Sequence, residues 1–150
     1  MKKNTILITG GTGFLGRRLG KRLIKDNKVI LTGRNNKQNK FAKDFTGCEV
    51  IPMDVASIES VRDAIISVRP NIVIHAAATK FVDLAEKEPM ECIDVNVLGS
   101  QNVVRVSIEN KIETLVGIST DKASPPVRNT YGISKAIMER IFCSMNGKTK

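Results

Sequence analysis

The sequence predicts an α/β fold: a doubly wound parallel sheet of about five strands in the order 3-2-1-4-5, with helices on both faces. Three observations carry this. Short β-branched runs alternate with longer helical periods along the chain. The candidate strands are continuously apolar, as strands covered on both faces are. A glycine-rich turn follows the first strand, and right-handed crossovers then favour this strand order. The 150 residues make one domain, large enough to bury a core without staples.

The elements follow in order. Thr5-Ile6-Leu7-Ile8-Thr9 reads as a buried strand. Residues 14–26 read as a helix with Leu15, Leu19 and Leu23 stacked on one face. Val29-Ile30-Leu31-Thr32 is the second strand, and the polar stretch 33–47 holds a short helix around Phe41 and Phe45. Glu49-Val50-Ile51-Pro52-Met53 is the third strand, and its proline suggests an edge position. Ser57 can cap a helix running to Val68, with Ile58, Val61, Ile65 and Val68 facing inward. Residues 71–76 form the fourth strand. A long helix starts near Pro89, suited to a first helical turn, and runs to Glu109. Residues 113–119 are the fifth strand, followed by a proline-bearing loop and a last helix over 130–144. No sixth strand, linker or internal repeat is read.

Composition narrows the function classes. Hydrophobic residues make up 41% and charged residues 26%, which excludes disorder, collagen-like repeats and a disulfide scaffold. Lys and Arg number 24 against 15 Asp and Glu, a net charge of +9. That suits phosphates, nucleotides or nucleic acid as partners; a Lys- and Asn-rich proteome gives the same balance. Aromatics are only 4% and no one helix carries a basic cluster, which argues against nucleic acid. Cys48, Cys92 and Cys143 lack metal or redox spacing, and His75 is the lone histidine, so no metal site is expected. The same cysteine usage points to a reducing, cytoplasmic setting. Met1-Lys2-Lys3-Asn4 resembles a signal n-region, but the apolar run behind it, Ile6-Leu7-Ile8, soon meets glycines, so no signal peptide is expected. No stretch approaches the roughly 18 apolar residues of a membrane span.

The turn Thr9-Gly10-Gly11-Thr12-Gly13-Phe14-Leu15-Gly16 satisfies both G-x-x-G-x-x-G and G-x-G-x-x-G. Such spacing serves a tight turn, close backbone approach to a pyrophosphate and close helix–strand packing. The helix behind it presents free N–H groups and a positive dipole end. Gly10, Thr12, Gly13, Phe14, Leu15 and Gly16 are therefore candidate dinucleotide contacts. After the second strand an NAD site would carry an acidic residue; here stand Gly33-Arg34-Asn35-Asn36-Lys37. Arg34, with Asn35 and Lys37, can take a 2′-phosphate, which makes NADP the expected cofactor and NAD the less favoured one. The alternative is a solvated basic loop. Asp54 and Val55, past the third strand, can receive the adenine; the alternative for Asp54 is a turn residue or helix cap.

Tyr131 is the only tyrosine, and Lys135 stands four residues on, on the same helix face. A phenol is a weak acid, and a neighbouring ammonium favours its anion. Tyr131 can then take a proton from a substrate hydroxyl as hydride leaves the same carbon. Ser119-Thr120-Asp121-Lys122 follows the fifth strand at the carboxyl edge, where doubly wound sheets place their chemistry. Thr120 can donate to a reacting oxygen, with Asp121 and Lys122 as an acid/base pair; a polar turn is the competing reading.

The set TGGTGFLG, HAAA with a following Lys, NVLGSQNV, ISTDKA and YGISK resembles the extended short-chain dehydrogenase/reductase family. Residues 74–80 and 119–123 look most like its nucleotide-sugar 4,6-dehydratases, the inverting UDP-N-acetylglucosamine type being nearest. The resemblance implies a Rossmann-type NAD(P)-binding domain over 1–150, with the substrate domain of the family beyond it. It implies that Tyr131 and Lys135 drive oxidation at sugar C4, Lys122 takes the C5 proton, Asp121 assists loss of the C6 hydroxyl and Thr120 holds the C4 oxygen. It has Ala76 and Ala77 leave room for the nicotinamide ribose, adds Ala78 and Lys80 to the cofactor contacts, and sets Asn96, also a cofactor-binding candidate, mid-helix near the site. Close helix packing is the plainer role for the alanines, and a surface helix position for Asn96. His75 reads as a satisfied strand-end residue. A UDP-sugar is the implied substrate, with a homo-oligomer expected. The Asp121–Lys122 pair favours a dehydratase over a UDP-sugar 4-epimerase, and a non-catalytic dinucleotide-binding module is the third reading.

Overall fold

A computed structural model describes residues 3–145. Five parallel strands run β1 (Thr5–Thr9), β2 (Lys28–Gly33), β3 (Glu49–Pro52), β4 (Ile72–His75) and β5 (Thr114–Gly117), in the order β3-β2-β1-β4-β5. The fold is thus the Rossmann-type doubly wound sheet expected. Leu7 lies opposite Ile30 on one side and Val73 on the other, so the central strands are in step. Pro52 ends β3, which is an edge strand, where a missing N–H is tolerated.

Successive side chains of each strand point to opposite faces, and both faces are covered. On one face Leu7, Ile30 and Val73 pack against Val61 and Ile65 of α3 (Ile58–Val68) and against Val103 and Val106 of α6 (Gly99–Glu109). On the other, Ile6, Ile8, Val29 and Leu31 meet α1 (Phe14–Leu23) and α2 (Asn36–Thr46). Ser57 caps α3 by accepting from the Ser60 amide, and Ile58, Val61, Ile65 and Val68 all face the core. α7 (Thr130–Ser144) has the bounds the sequence predicts.

Three expectations need correction. The short helix near Phe41 is an eleven-residue helix, α2, capped by Asn35 and closed by Gly47 in the left-handed conformation; those two caps outweigh its poor core pattern. Leu15 does not share the core-facing side of Leu19 and Leu23 but is 43% exposed at the head of α1, because Gly16 packs on the glycine turn and Gly20 on Leu31 of β2. The long helix from Pro89 is three pieces: α5 (Pro89–Ile93), a π-helical turn (Asp94–Leu98) and α6, preceded by an unforeseen α4 (Val82–Lys87). The reading of no sixth strand falls partly on residues 146–150, outside the described ones, as do Met1 and Lys2 of the apparent n-region.

Candidate functional site

The carboxyl ends of the strands open into a cleft of about 660 Å³, within the range of cofactor pockets. From the glycine turn it is lined by Gly10, Thr12, Gly13, Phe14, Leu15 and Gly16. Arg34 and Asn35 line it beyond β2, and Val55 beyond β3. Ala76, Ala77, Ala78 and Lys80 form the wall after β4, and Tyr131 and Lys135 reach in from α7. One cleft thus gathers segments scattered over most of the chain.

The glycine turn is built for backbone contact. Gly10 sits at φ +61°, and a Cβ there would lie 2.6 Å from Ala77 Cα. The chain turns back through Gly13 N–H donating to the Gly10 carbonyl at 2.9 Å. Gly13 is the N-cap of α1 and offers no side chain, and the first turn of α1 has no acidic residue. The amides and positive end of the helix therefore face the cleft without an internal counter-charge, the arrangement that receives phosphate. The residues present fit a dinucleotide in shape and in charge.

The opposite wall is held by a buried polar network. His75 is fully buried, with Nδ1 2.7 Å from Thr9 Oγ1 and Nε2 3.0 Å from Ser100 Oγ. Ser100 donates its proton to the Asn96 carbonyl, so it accepts from Nε2–H; Thr9 Oγ1 accepts from the Ala77 amide and donates to Nδ1. The ring is thus a neutral Nε2–H tautomer. Burial first, and the nearby Lys135 charge second, push its pKa down to about 3. His75 is the satisfied strand-end residue that its sequence context suggests. Asn96 is buried rather than on the surface, and it does not line the cleft. Its side chain accepts from the Thr79 amide at 2.8 Å and donates to the Thr79 carbonyl at 3.0 Å and to Ser134 Oγ at 2.9 Å. It therefore ties the wall to α7.

The buried His75 makes stability depend on pH. In the unfolded chain the ring takes a proton near pH 6.5, whereas the folded protein refuses it until about pH 3. Stability is expected to fall by about 1.4 kcal/mol for each pH unit below 6.5. Urea midpoints between pH 7 and 4.5 measure this, and His75→Gln should remove that share of the slope. Equal slopes in the two proteins would contradict it.

Tyr131 and Lys135 are one turn apart on α7, as the sequence requires. Lys135 is 3% exposed and donates to the Ile118 carbonyl at 2.5 Å. Burial lowers its pKa to about 8, with Glu139 acting in the opposite direction. Asn129 caps α7 by accepting from Gly132 N, and Glu86 on α4 accepts from the Thr130 amide.

Several sequence candidates stand apart from the cleft lining. Lys37 is an exposed residue of α2. Asp54 accepts from the Ala56 amide and acts as a turn residue. Thr120, Asp121 and Lys122 lie outside it as well, Thr120 as the cap of a 3-10 turn (Asp121–Ala123) that holds the other two. There Thr120 Oγ1 donates to Asp121, whose pKa is lowered by that bond first and by Lys122, 3.7 Å away, second. The cleft instead uses Ile118 and Ser119 from the same segment, together with Gly33, Gln38, Met53 and Val95. Met53 and Val95 carried no sequence signal beyond adjacency to a strand end and to Asn96. Among the described residues no group of three or more His, Cys, Asp or Glu is placed to hold a metal ion, and no helix is long and apolar enough to cross a membrane.

Comparison with known proteins bears on this site. Residues 6–150 match the sequence profile of a family described as "Polysaccharide biosynthesis protein". The chain is 41% identical over 150 residues to an inverting UDP-N-acetylglucosamine 4,6-dehydratase of Campylobacter jejuni, covering 96% of this chain and 44% of that one. It is 37% identical over 146 residues to a UDP-glucose 4-epimerase of Rickettsia typhi, covering 91% and 42%. The chain thus spans less than half the length of these curated relatives. Among solved structures, Pen from Bacillus thuringiensis superposes with a TM-score of 0.88 at 27% identity, over 95% of this chain and 46% of that one.

Proposed function

The chain belongs to the polysaccharide biosynthesis protein family, and on that premise we propose that it is the NADP-binding part of a nucleotide-sugar 4,6-dehydratase acting on a UDP-N-acetylglucosamine-type sugar. The observation that carries the reading is the single cleft uniting the glycine turn, Arg34, the alanine wall and the Tyr131–Lys135 pair. The turn and the head of α1 bind the pyrophosphate, and Arg34 takes the 2′-phosphate. Ala76, Ala77 and Ala78 leave room for the nicotinamide ribose. The dinucleotide, when bound, supplies the hydride acceptor. Tyr131 takes the proton of the sugar C4 hydroxyl, with Lys135 one turn further along the same helix face. The proton of the Lys122 ammonium passes through Asp121 to the departing C6 hydroxyl, which leaves as water, and Lys122 then takes the proton at C5. Both are exposed and paired, free to turn toward a sugar held above the cleft. Their place outside the cleft lining favours a second reading, a 4-epimerase, which needs Tyr131 and Lys135 but not this pair.

Calorimetry with NADP and NAD, followed by incubation with the UDP-sugar and mass spectrometry for water loss, tests the proposal. NADP is expected to bind more tightly, and Arg34→Asp to weaken it by about 1–3 kcal/mol. Equal binding of the two cofactors would sink the NADP assignment. The 150 residues alone are expected to turn over little sugar, since the relatives carry as much chain again and misplacement by about 1 Å costs on the order of 10²-fold in rate. Ordinary dehydratase rates from them would show that the sugar is held by this part.

A further inference from the structure

We infer that Glu91 sets the cofactor specificity of this cleft: its carboxylate faces Arg34 across the mouth, competes with a 2′-phosphate and narrows the preference for NADP over NAD. The inference rests on the reading of the cleft as a dinucleotide site. Arg34 directly follows β2 and lines the cleft. Glu91 lies on α5, one turn before Val95, which lines the same cleft. Arg34 Nη2 is 3.8 Å from Glu91 Oε1. The pair therefore joins the loop after β2 to the helices after β4, with β1 and its glycine turn between them.

An acidic group that meets the ribose 2′-OH marks an NAD site, and it ordinarily stands at the end of the second strand. Here that place holds Arg34, while the fold brings a carboxylate to it from a distant helix. Both side chains are about half exposed, 54% and 52%, so water screens the pair and neither is locked in place. A phosphate that binds the guanidinium through two hydrogen bonds can displace the carboxylate. The carboxylate then remains beside a dianion and repels it. NAD carries an uncharged hydroxyl at that position and meets no such repulsion.

Dissociation constants for NADP and NAD, measured by calorimetry at low salt, test this in the unaltered protein, Glu91→Gln, Arg34→Met and the double variant. Glu91→Gln is expected to tighten NADP binding by about two- to five-fold, the span of exposed ion pairs, and to leave NAD unchanged. The gain should shrink in high salt and vanish in the Arg34→Met background. No change in Glu91→Gln, or an equal change for both cofactors, would overturn the role of Glu91; a loss of NADP affinity in Arg34→Met would then still uphold the site itself. Failure of the unaltered protein to bind either cofactor would overturn both.

Discussion

Gly16→Ala should cost about 3 kcal/mol of stability and abolish dinucleotide binding. A Cβ at this position would stand 2.5 Å from Gly11 Cα and 2.6 Å from the Gly10 carbonyl oxygen. Both obstacles are backbone, so no side chain can swing away, and overpacking of this kind costs about 1–3 kcal/mol or more. Relief requires α1 to back off the glycine turn, which moves the very amides that face the cleft. Gly13→Ala separates fold from binding. Its Cβ meets only the Gly10 oxygen, at 3.2 Å, and its φ of −73° suits any residue. It should melt near the unaltered protein yet bind cofactor weakly. Gly47→Ala is the control for backbone conformation alone: φ is +73° with open space around it, so about 1 kcal/mol is expected. Melting curves and calorimetry on the three variants check the order. A Gly16→Ala protein that melts and binds normally would refute the packing argument.

Lys135→Met should make the protein more stable at pH 7 and less able to use the proposed cofactor. The buried ammonium is held at a pKa of about 8, against 10.5 when free. The folded state therefore pays a penalty for the charge below pH 8, worth about 3 kcal/mol at most. Loss of the bond to the Ile118 carbonyl returns about 1–3 kcal/mol of that. A net gain of about 1 kcal/mol, or roughly 2–4 °C, is expected at pH 7. Between pH 8 and 10.5 the unfolded chain binds the proton that the folded one has released. The unaltered protein therefore gains stability with rising pH across that window, and the advantage of Lys135→Met should disappear. Denaturant midpoints at pH 7 and pH 10 measure the difference; a constant gap between the two proteins would count against a destabilising lysine. A residue that weakens the fold yet stands beside Tyr131 in the cleft is what a trade of stability for activity produces.

The sheet was legible because parallel strands covered on both faces need continuous apolar runs, and β1, β2 and β4 have them in Ile6-Leu7-Ile8, Val29-Ile30-Leu31 and Ile72-Val73-Ile74. The glycine turn was legible because its spacing serves backbone geometry that few other residues allow. The hidden parts have other causes. The π-helical turn over Asp94–Leu98 follows the same apolar period as a straight helix, so the sequence shows one long helix where the structure has a break. Thr120, Asp121 and Lys122 follow β5 closely, yet the chain curls into a 3-10 turn and leaves Ile118 and Ser119 at the cleft. Asn96 reads as a polar residue on a helix, and only its partners, Thr79 and Ser134, give it a purpose. Arg34 was visible as a charge, whereas its partner Glu91 comes from another element and no local pattern links them.

The two bonds between Asn96 and Thr79 have a consequence for how the cleft meets its ligand. A carboxamide carries the same donor and acceptor as a peptide group, and Asn96 offers both to one residue of an irregular segment. The segment after β4 thus gains a surrogate ladder rung from a side chain. Its order does not wait for a ligand to impose it. The entropy of fixing this wall is charged to folding, so the dinucleotide proposed for the cleft would meet a lock already cut rather than a surface that must be moulded around it.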